Sequence, residues 1–182
     1  MKNVKLILIF LAFLIIFTSQ TNGGENEYIL GINFGYSFGL GGSNSYYDNH
    51  KLGYRLGLNL QYYFSSHWAI QGEIAYQRHT YHKWGQDYDG SFFDYTEDES
   101  YVVPYLNLIY DFKGKKVFPY FTFGVGAEEI TPSFILFLKT GVGMKYSLSP
   151  QIGLNLGGSL YLHSFIAEIN YLSLNLGLEY RF

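Results

Sequence analysis

The chain contains no cysteine, few charges and, beyond its first 17 residues, no long apolar run. Each shortage excludes something. Without cysteine there is no disulfide framework for a small secreted fold and no lipid-modified cysteine after an export signal. Only 15% of the 182 residues are charged, against about 25% in ordinary soluble domains, so there is too little charge for a water-facing surface. After Phe17, Gly, Asn, Ser and Gln interrupt every apolar stretch well short of the roughly 20 residues that a spanning helix needs. Disorder is excluded as well, because aromatic residues make up 20% of the chain. What is present is a mixture of 21 Gly, 19 Tyr and 16 Phe in short alternations. That is the composition of a β-protein whose apolar residues are spread thinly but regularly.

Residues 1–24 read as a signal peptide, with residues 25–182 as the exported domain. Lys2 and Lys5 form a basic start, Leu6 to Phe17 an uninterrupted apolar core, and Thr18 to Gly24 a small, polar end. Twelve apolar residues suit an export signal rather than a membrane anchor. Removing the segment leaves ten basic against fifteen acidic residues, a net charge of −5. That is the wrong sign for a nucleic-acid partner.

Period 2 dominates the remainder. Tyr28, Leu30, Ile32, Phe34, Tyr36 and Phe38 alternate with Gly, Asn and Ser, and Leu52 to Phe64 repeats the pattern. Further strands are expected over Trp68–Gln77, Val102–Phe112, Val117–Ala127, Phe134–Leu148, Ile152–Leu162 and Leu172–Phe182, the fifth with its apolar residues switched to odd positions. Short links at 65–67, 112–116 and 149–151 alternate with longer ones at 40–50, 78–100, 128–133 and 163–170. An all-β fold follows: an eight-stranded, antiparallel, up-and-down transmembrane β-barrel with short turns at one end and long loops at the other. Pro104 and Pro119 are expected near strand ends or bulges.

The apolar face carries aromatics at both ends. Tyr28, Tyr62, Phe64, Trp68, Tyr110, Phe112, Tyr146, Tyr180 and Phe182 lie near the short turns, and Phe38, Tyr54, Tyr76 and Phe134 near the long loops. Two interfacial girdles of this kind mark that face as lipid-facing, and the aromatic excess is assigned to these belts and to the longest loop. The other face, rich in Gly, Ser and Asn, then lines the interior with Arg55, Glu73, Lys139, Lys145, Glu179 and Arg181. Such charges must pair or stay wetted, and so narrow an interior is a filled plug rather than a diffusion pore.

Three segments carry a family likeness: Pro119-Tyr-Phe-Thr-Phe-Gly-Val-Gly126, Thr140-Gly-Val-Gly-Met-Lys-Tyr-Ser-Leu-Ser149, and the terminal Leu176-Gly-Leu-Glu-Tyr-Arg-Phe182. They resemble the outer-membrane protein β-barrel domain family, which includes OmpA-like and opacity-like barrels of Gram-negative bacteria. The resemblance covers about residues 28–182. It implies a surface protein of the outer membrane, in contact with lipid and lipopolysaccharide. It also implies insertion by the barrel-assembly machinery, which in the family recognises a final strand such as the one ending in Phe182.

Loop 78–100 mixes Asp87, Asp89, Asp94, Glu97, Asp98 and Glu99 with Tyr81, Trp84, Tyr88, Phe92, Phe93 and Tyr95. This acidic, aromatic surface is the expected site for an extracellular partner. Asp87-Tyr88-Asp89-Gly90 has its Gly too early for a calcium-binding loop and no closing Glu, while His79 and His82 are read as exposed loop residues rather than metal ligands. No catalytic, cofactor or metal site is therefore expected, and the role is non-enzymatic, structural or adhesin-like. The alternative is a barrel enzyme acting on lipid A acyl chains, since outer-membrane deacylases use a His and a Ser near the end of the penultimate strand, where His163 and Ser164 stand with Glu168 beyond. Adjacent residues of an extended strand point to opposite faces, which argues against a Ser activated by that His.

Overall fold

A chain that crosses lipid by strands must pair every backbone amide, and with one apolar and one polar side to each strand it does so by closing the sheet on itself. In the computed structural model, which describes residues 27–39, 50–86, 90–112, 114, 116–130, 133–163 and 171–182, that closure is complete. The strands are β1 (Glu27–Gly39), β2 (His50–Tyr63), β3 (Trp68–Gln86), β4 (Phe92–Asp111), β5 (Val117–Ile130), β6 (Ser133–Ser147), β7 (Ile152–His163) and β8 (Tyr171–Arg181). Each pairs antiparallel with the next, and β8 returns to β1. The signal peptide expected at residues 1–24 lies outside the described residues.

The expected facing is borne out along every strand. Leu30, Ile32, Phe34, Leu56, Leu58, Leu106, Leu108, Val142, Leu156, Leu174 and Leu176 are exposed on the outer wall. Their odd-numbered neighbours turn inward. The switch at β5 is a matter of register: Leu106 pairs with Val125, an even residue with an odd one, and Val125 pairs with Leu138 to restore the parity. At the short-turn end Trp68 packs edge-on against Tyr110 and Tyr110 against Phe112; toward the long loops Phe38, Tyr54 and Tyr76 are exposed on the same wall, and the side chain of Phe134 lies outside the described residues. Two short turns share one device. Ser65 Oγ accepts from Trp68 N at 3.1 Å and Ser149 Oγ from Ile152 N at 2.9 Å, closing each turn with a side chain.

Three expectations are corrected. Loop 78–100 is mostly a β-hairpin: β3 and β4 run 19 and 20 residues, against 11 to 15 for the others. Its tip turns at Gly90, whose φ of 86° favours glycine. Link 128–133 is likewise mostly strand, with β5 and β6 joined across two residues. The hairpin was unreadable as strand because period 2 appears only where one face is buried, and from Gly90 to Ser100 every described residue but Phe93 is exposed. Pro104 lies in the middle of β4 rather than near its end; it stands next to Tyr105↔Gly126, where the β4–β5 ladder stops.

The core is the barrel interior. Toward the long hairpin, Tyr105, Tyr161, Tyr171 and Phe137 pack with Ala75 and Val103; toward the short turns, Ile29, Tyr63, Ala69 and Ile109 pack with Tyr120. Thus a third group of aromatics, assigned to belts and loop by composition alone, fills the interior. The glycine face makes room for them. A Cβ on Gly126 would stand 2.5 Å from the Tyr105 ring, and one on Gly143 2.5 Å from the Tyr120 ring.

Candidate functional site

Between the two aromatic layers lies a charged middle. Glu73 on β3 is approached by Arg55 on β2, Nη2 to Oε1 2.7 Å, and by Lys139 on β6, Nζ to Oε2 2.9 Å. The Arg55 pair is one of proximity, because the guanidinium N–H directions miss the carboxylate oxygen. Asn33 Nδ2 supplies an aligned hydrogen bond to Oε1 at 2.9 Å. The guanidinium also lies 4.9 Å from the Tyr105 ring centre and 5.6 Å from that of Tyr161, an attractive placement over π faces.

A second cluster sits nearer the short turns. Lys145 Nζ is 3.0 Å from Asp111 Oδ2, and it donates to Tyr63 Oη at 2.7 Å and to Gln61 Oε1 at 3.1 Å. The Tyr63 hydroxyl donates in turn to Asp111 Oδ2. Glu179 accepts from Gln61 and Asn155 at 3.0 and 3.1 Å. Five of the six expected interior charges are thus brought together, and they balance once Asp111 is counted: Arg55, Lys139 and Lys145 against Glu73, Asp111 and Glu179. Asp111 and Tyr63 escaped sequence reasoning, although both occupy inward, odd positions. Arg181 is different, since it pairs with Glu27 at 3.2 Å on the partly exposed rim.

A cavity of about 40 Å³ separates the clusters, enough for a few waters. Asn33 Oδ1, Thr122 Oγ1, Arg55 Nε and Glu179 Oε2 lie on its lining residues with bonding capacity unused inside the protein. Ile109 and Tyr120 of the cluster nearer the short turns form part of its lining.

Above the upper layer, His79 is buried, contrary to the exposed position expected of it. Its ring stacks on Tyr101 at 5.4 Å and meets Tyr171 edge-on at 5.1 Å, with Nε2 3.2 Å from Gln77 Oε1. The side chain of His82 lies outside the described residues. Beyond this point β3 and β4 leave the barrel. Arg78 Nη2 donates to Asp98 Oδ2 at 2.6 Å and Thr80 Oγ1 to Asp98 Oδ1 at 2.7 Å. These two bonds hold the Asp98 carboxyl below the usual carboxylate range. Further out, Phe92 is 82% and Tyr95 50% exposed. Asp87, Tyr88 and Asp89 lie outside the described residues, as do Ser164 and Glu168; His163 closes β7.

A family model described as the outer membrane protein beta-barrel domain matches residues 8–182. The chain belongs to this family. It is therefore an outer-membrane barrel. Solved structures agree on the fold. Neisserial surface protein A is 15% identical, with 85% of this chain and 97% of that one covered at a TM-score of 0.57. Ail, the attachment invasion locus protein of Yersinia pestis, crystallised with the heparin analogue sucrose octasulfate, is 17% identical with 87% and 100% covered at 0.58. The N-terminal barrel domain of Pseudomonas aeruginosa OprF is 15% identical with 85% and 97% covered at 0.50. No curated protein matches the sequence.

Proposed function

We propose that this barrel is a non-enzymatic surface protein that holds the β3–β4 hairpin outside the cell for contact with an external partner. The observation that carries the reading is the hairpin itself. β3 stays paired with β2 as far as Tyr81; its last five residues, to Gln86, extend about 17 Å further at roughly 3.3 Å per residue, and every described residue from Gly90 to Ser100 except Phe93 is exposed. The interior, by contrast, is filled with balanced charges and aromatic layers, an arrangement suited to stability. The fold is shared with a protein named for attachment and invasion. The polyanion bound there suits this hairpin poorly, because residues 78–100 carry six carboxylates against two basic side chains, a net −4. Assembly follows the family's route: export by residues 1–24, then insertion of residues 25–182 through the final strand ending in Phe182.

The test is to replace residues 82–96 by an Asn-Gly turn. The shortened barrel should keep its heat-modifiable gel mobility, while cells displaying it lose attachment to the surfaces that the parent strain binds. Undiminished attachment would reject the reading.

A further inference from the structure

We infer that the outer part of β4 is a docking edge on which an extended, positively charged peptide adds as a further strand. The inference rests on the surface-contact reading above and names the partner.

The direction of each amide on β4 follows from two bonds at its base. Asp111 N donates to His67 O on the β3 side, and Phe112 N donates to Pro119 O of β5, both at 2.8 Å. Odd residues therefore turn to β3 and even ones to β5. The β3–β4 ladder keeps one register from Trp68↔Tyr110 to Gln86↔Phe92, so this parity holds along the strand. Tyr110, Leu108 and Leu106 accordingly pair with Phe121, Phe123 and Val125. The next even residue is Pro104, which has no N–H to offer, and the ladder ends beside it at Tyr105↔Gly126.

Beyond Pro104, Val102, Ser100, Asp98 and Thr96 still direct their amides and carbonyls to the side that β5 has left. Among the described residues no strand pairs with them there, and all four are exposed. This edge is about 20 Å long. Proteins commonly blunt such an edge with Lys, Pro or a bulge; here it is regular and acidic.

Charge selects the occupant. An added strand would run beside Glu97 and Glu99 on one face and Asp94 on the other, where Asp98 is already held by Arg78 and Thr80, within a hairpin of net −4. A second copy of the same edge would set like charges opposite each other, whereas Lys or Arg on alternate positions of a peptide meets carboxylates on either face. Main-chain bonds would supply the affinity and the carboxylates the preference.

The probe is a fluorescent ten-residue peptide of alternating Lys and Val, titrated into the whole barrel in detergent micelles. Saturable binding is expected, with the amides of Thr96, Asp98, Ser100 and Val102 becoming protected from hydrogen exchange. The same peptide N-methylated on its docking-side amides should bind at least ten-fold more weakly. Ser100→Pro should match that loss with heat-modifiable mobility intact, since it removes only an edge-facing donor. Equal binding of the N-methylated and parent peptides would mean attraction by charge alone and would overturn the inference. So would edge amides already protected without peptide, as would dimerisation of the barrel through β4. Loss of attachment on replacing residues 82–96, combined with failure of these tests, would leave the surface-contact reading standing and remove only strand addition.

Discussion

Arg55 and Lys139 share a single carboxylate, that of Glu73, at 2.7 and 2.9 Å in a layer closed off from solvent. Two buried cations on one anion make Glu73 the residue whose loss the barrel tolerates least. Glu73→Gln should cost about 3–5 kcal/mol, because removing one partner leaves charge buried without compensation. Glu27→Gln, which breaks only the rim pair with Arg181, should cost less than about 1 kcal/mol. Urea unfolding in lipid vesicles, followed by tryptophan fluorescence, compares the two. Equal costs would contradict this picture of the interior.

The outer wall makes an opposite demand. Leu58 and Leu108 are 54% and 39% exposed and face acyl chains, so an Arg at either should destabilise by about 2–4 kcal/mol if it lies near the membrane midplane. Leu58→Ala should be much milder, because a lipid-facing leucine leaves no enclosed cavity when shortened. Vesicle refolding yields distinguish these cases. An Arg tolerated as well as Ala would reverse the assignment of faces.

Facing was legible because Leu56, Leu58 and Leu60 alternate with Gly57, Asn59 and Gln61, and burial of one face imposes that period. The same logic hid the hairpin. From Gly90 to Ser100 every described residue but Phe93 is exposed, so both faces meet water, carboxylates and aromatics occur at either parity and the alternation is lost. His79 was misplaced for the same reason, since its burial depends on Tyr101 and Tyr171 arriving from other positions in the chain. Inward tyrosines such as Tyr105 and Tyr161 were hidden differently. Tyrosine suits a membrane interface and a polar interior equally well, and what marks the second case is an inward, odd position such as those of Tyr105 and Tyr161, together with a glycine opposite, such as Gly126 beside Tyr105.

That complementarity predicts a rescue. Gly143→Val should destabilise the barrel by about 1–3 kcal/mol through overpacking, because its Cβ would meet both the Tyr120 ring and the Leu156 carbonyl oxygen at 2.5 Å. Adding Tyr120→Ala should recover part of the loss. Unfolding of the two single variants and the double variant measures the coupling; strict additivity would show that the glycine serves some other purpose.

The base of the hairpin should respond to acid. Asp98 is held below its ordinary value by hydrogen bonds from Thr80 and Arg78, so the charged form is the one favoured in the folded hairpin. A depressed carboxyl contributes its stabilisation above the unfolded-state value near 3.8. That contribution is lost as pH falls through the lower folded-state value. Hydrogen exchange at Glu99 and Tyr101, whose amides turn to β3, should therefore be insensitive to this group at neutral pH, apart from the intrinsic rate. Below about pH 4 their protection should weaken, while the amides of Leu106 and Leu108 in the barrel wall stay protected. Asp98→Asn should show the weakened protection at all pH values and abolish the acid response. A response that persisted in Asp98→Asn would assign the acid sensitivity to another carboxyl of the hairpin.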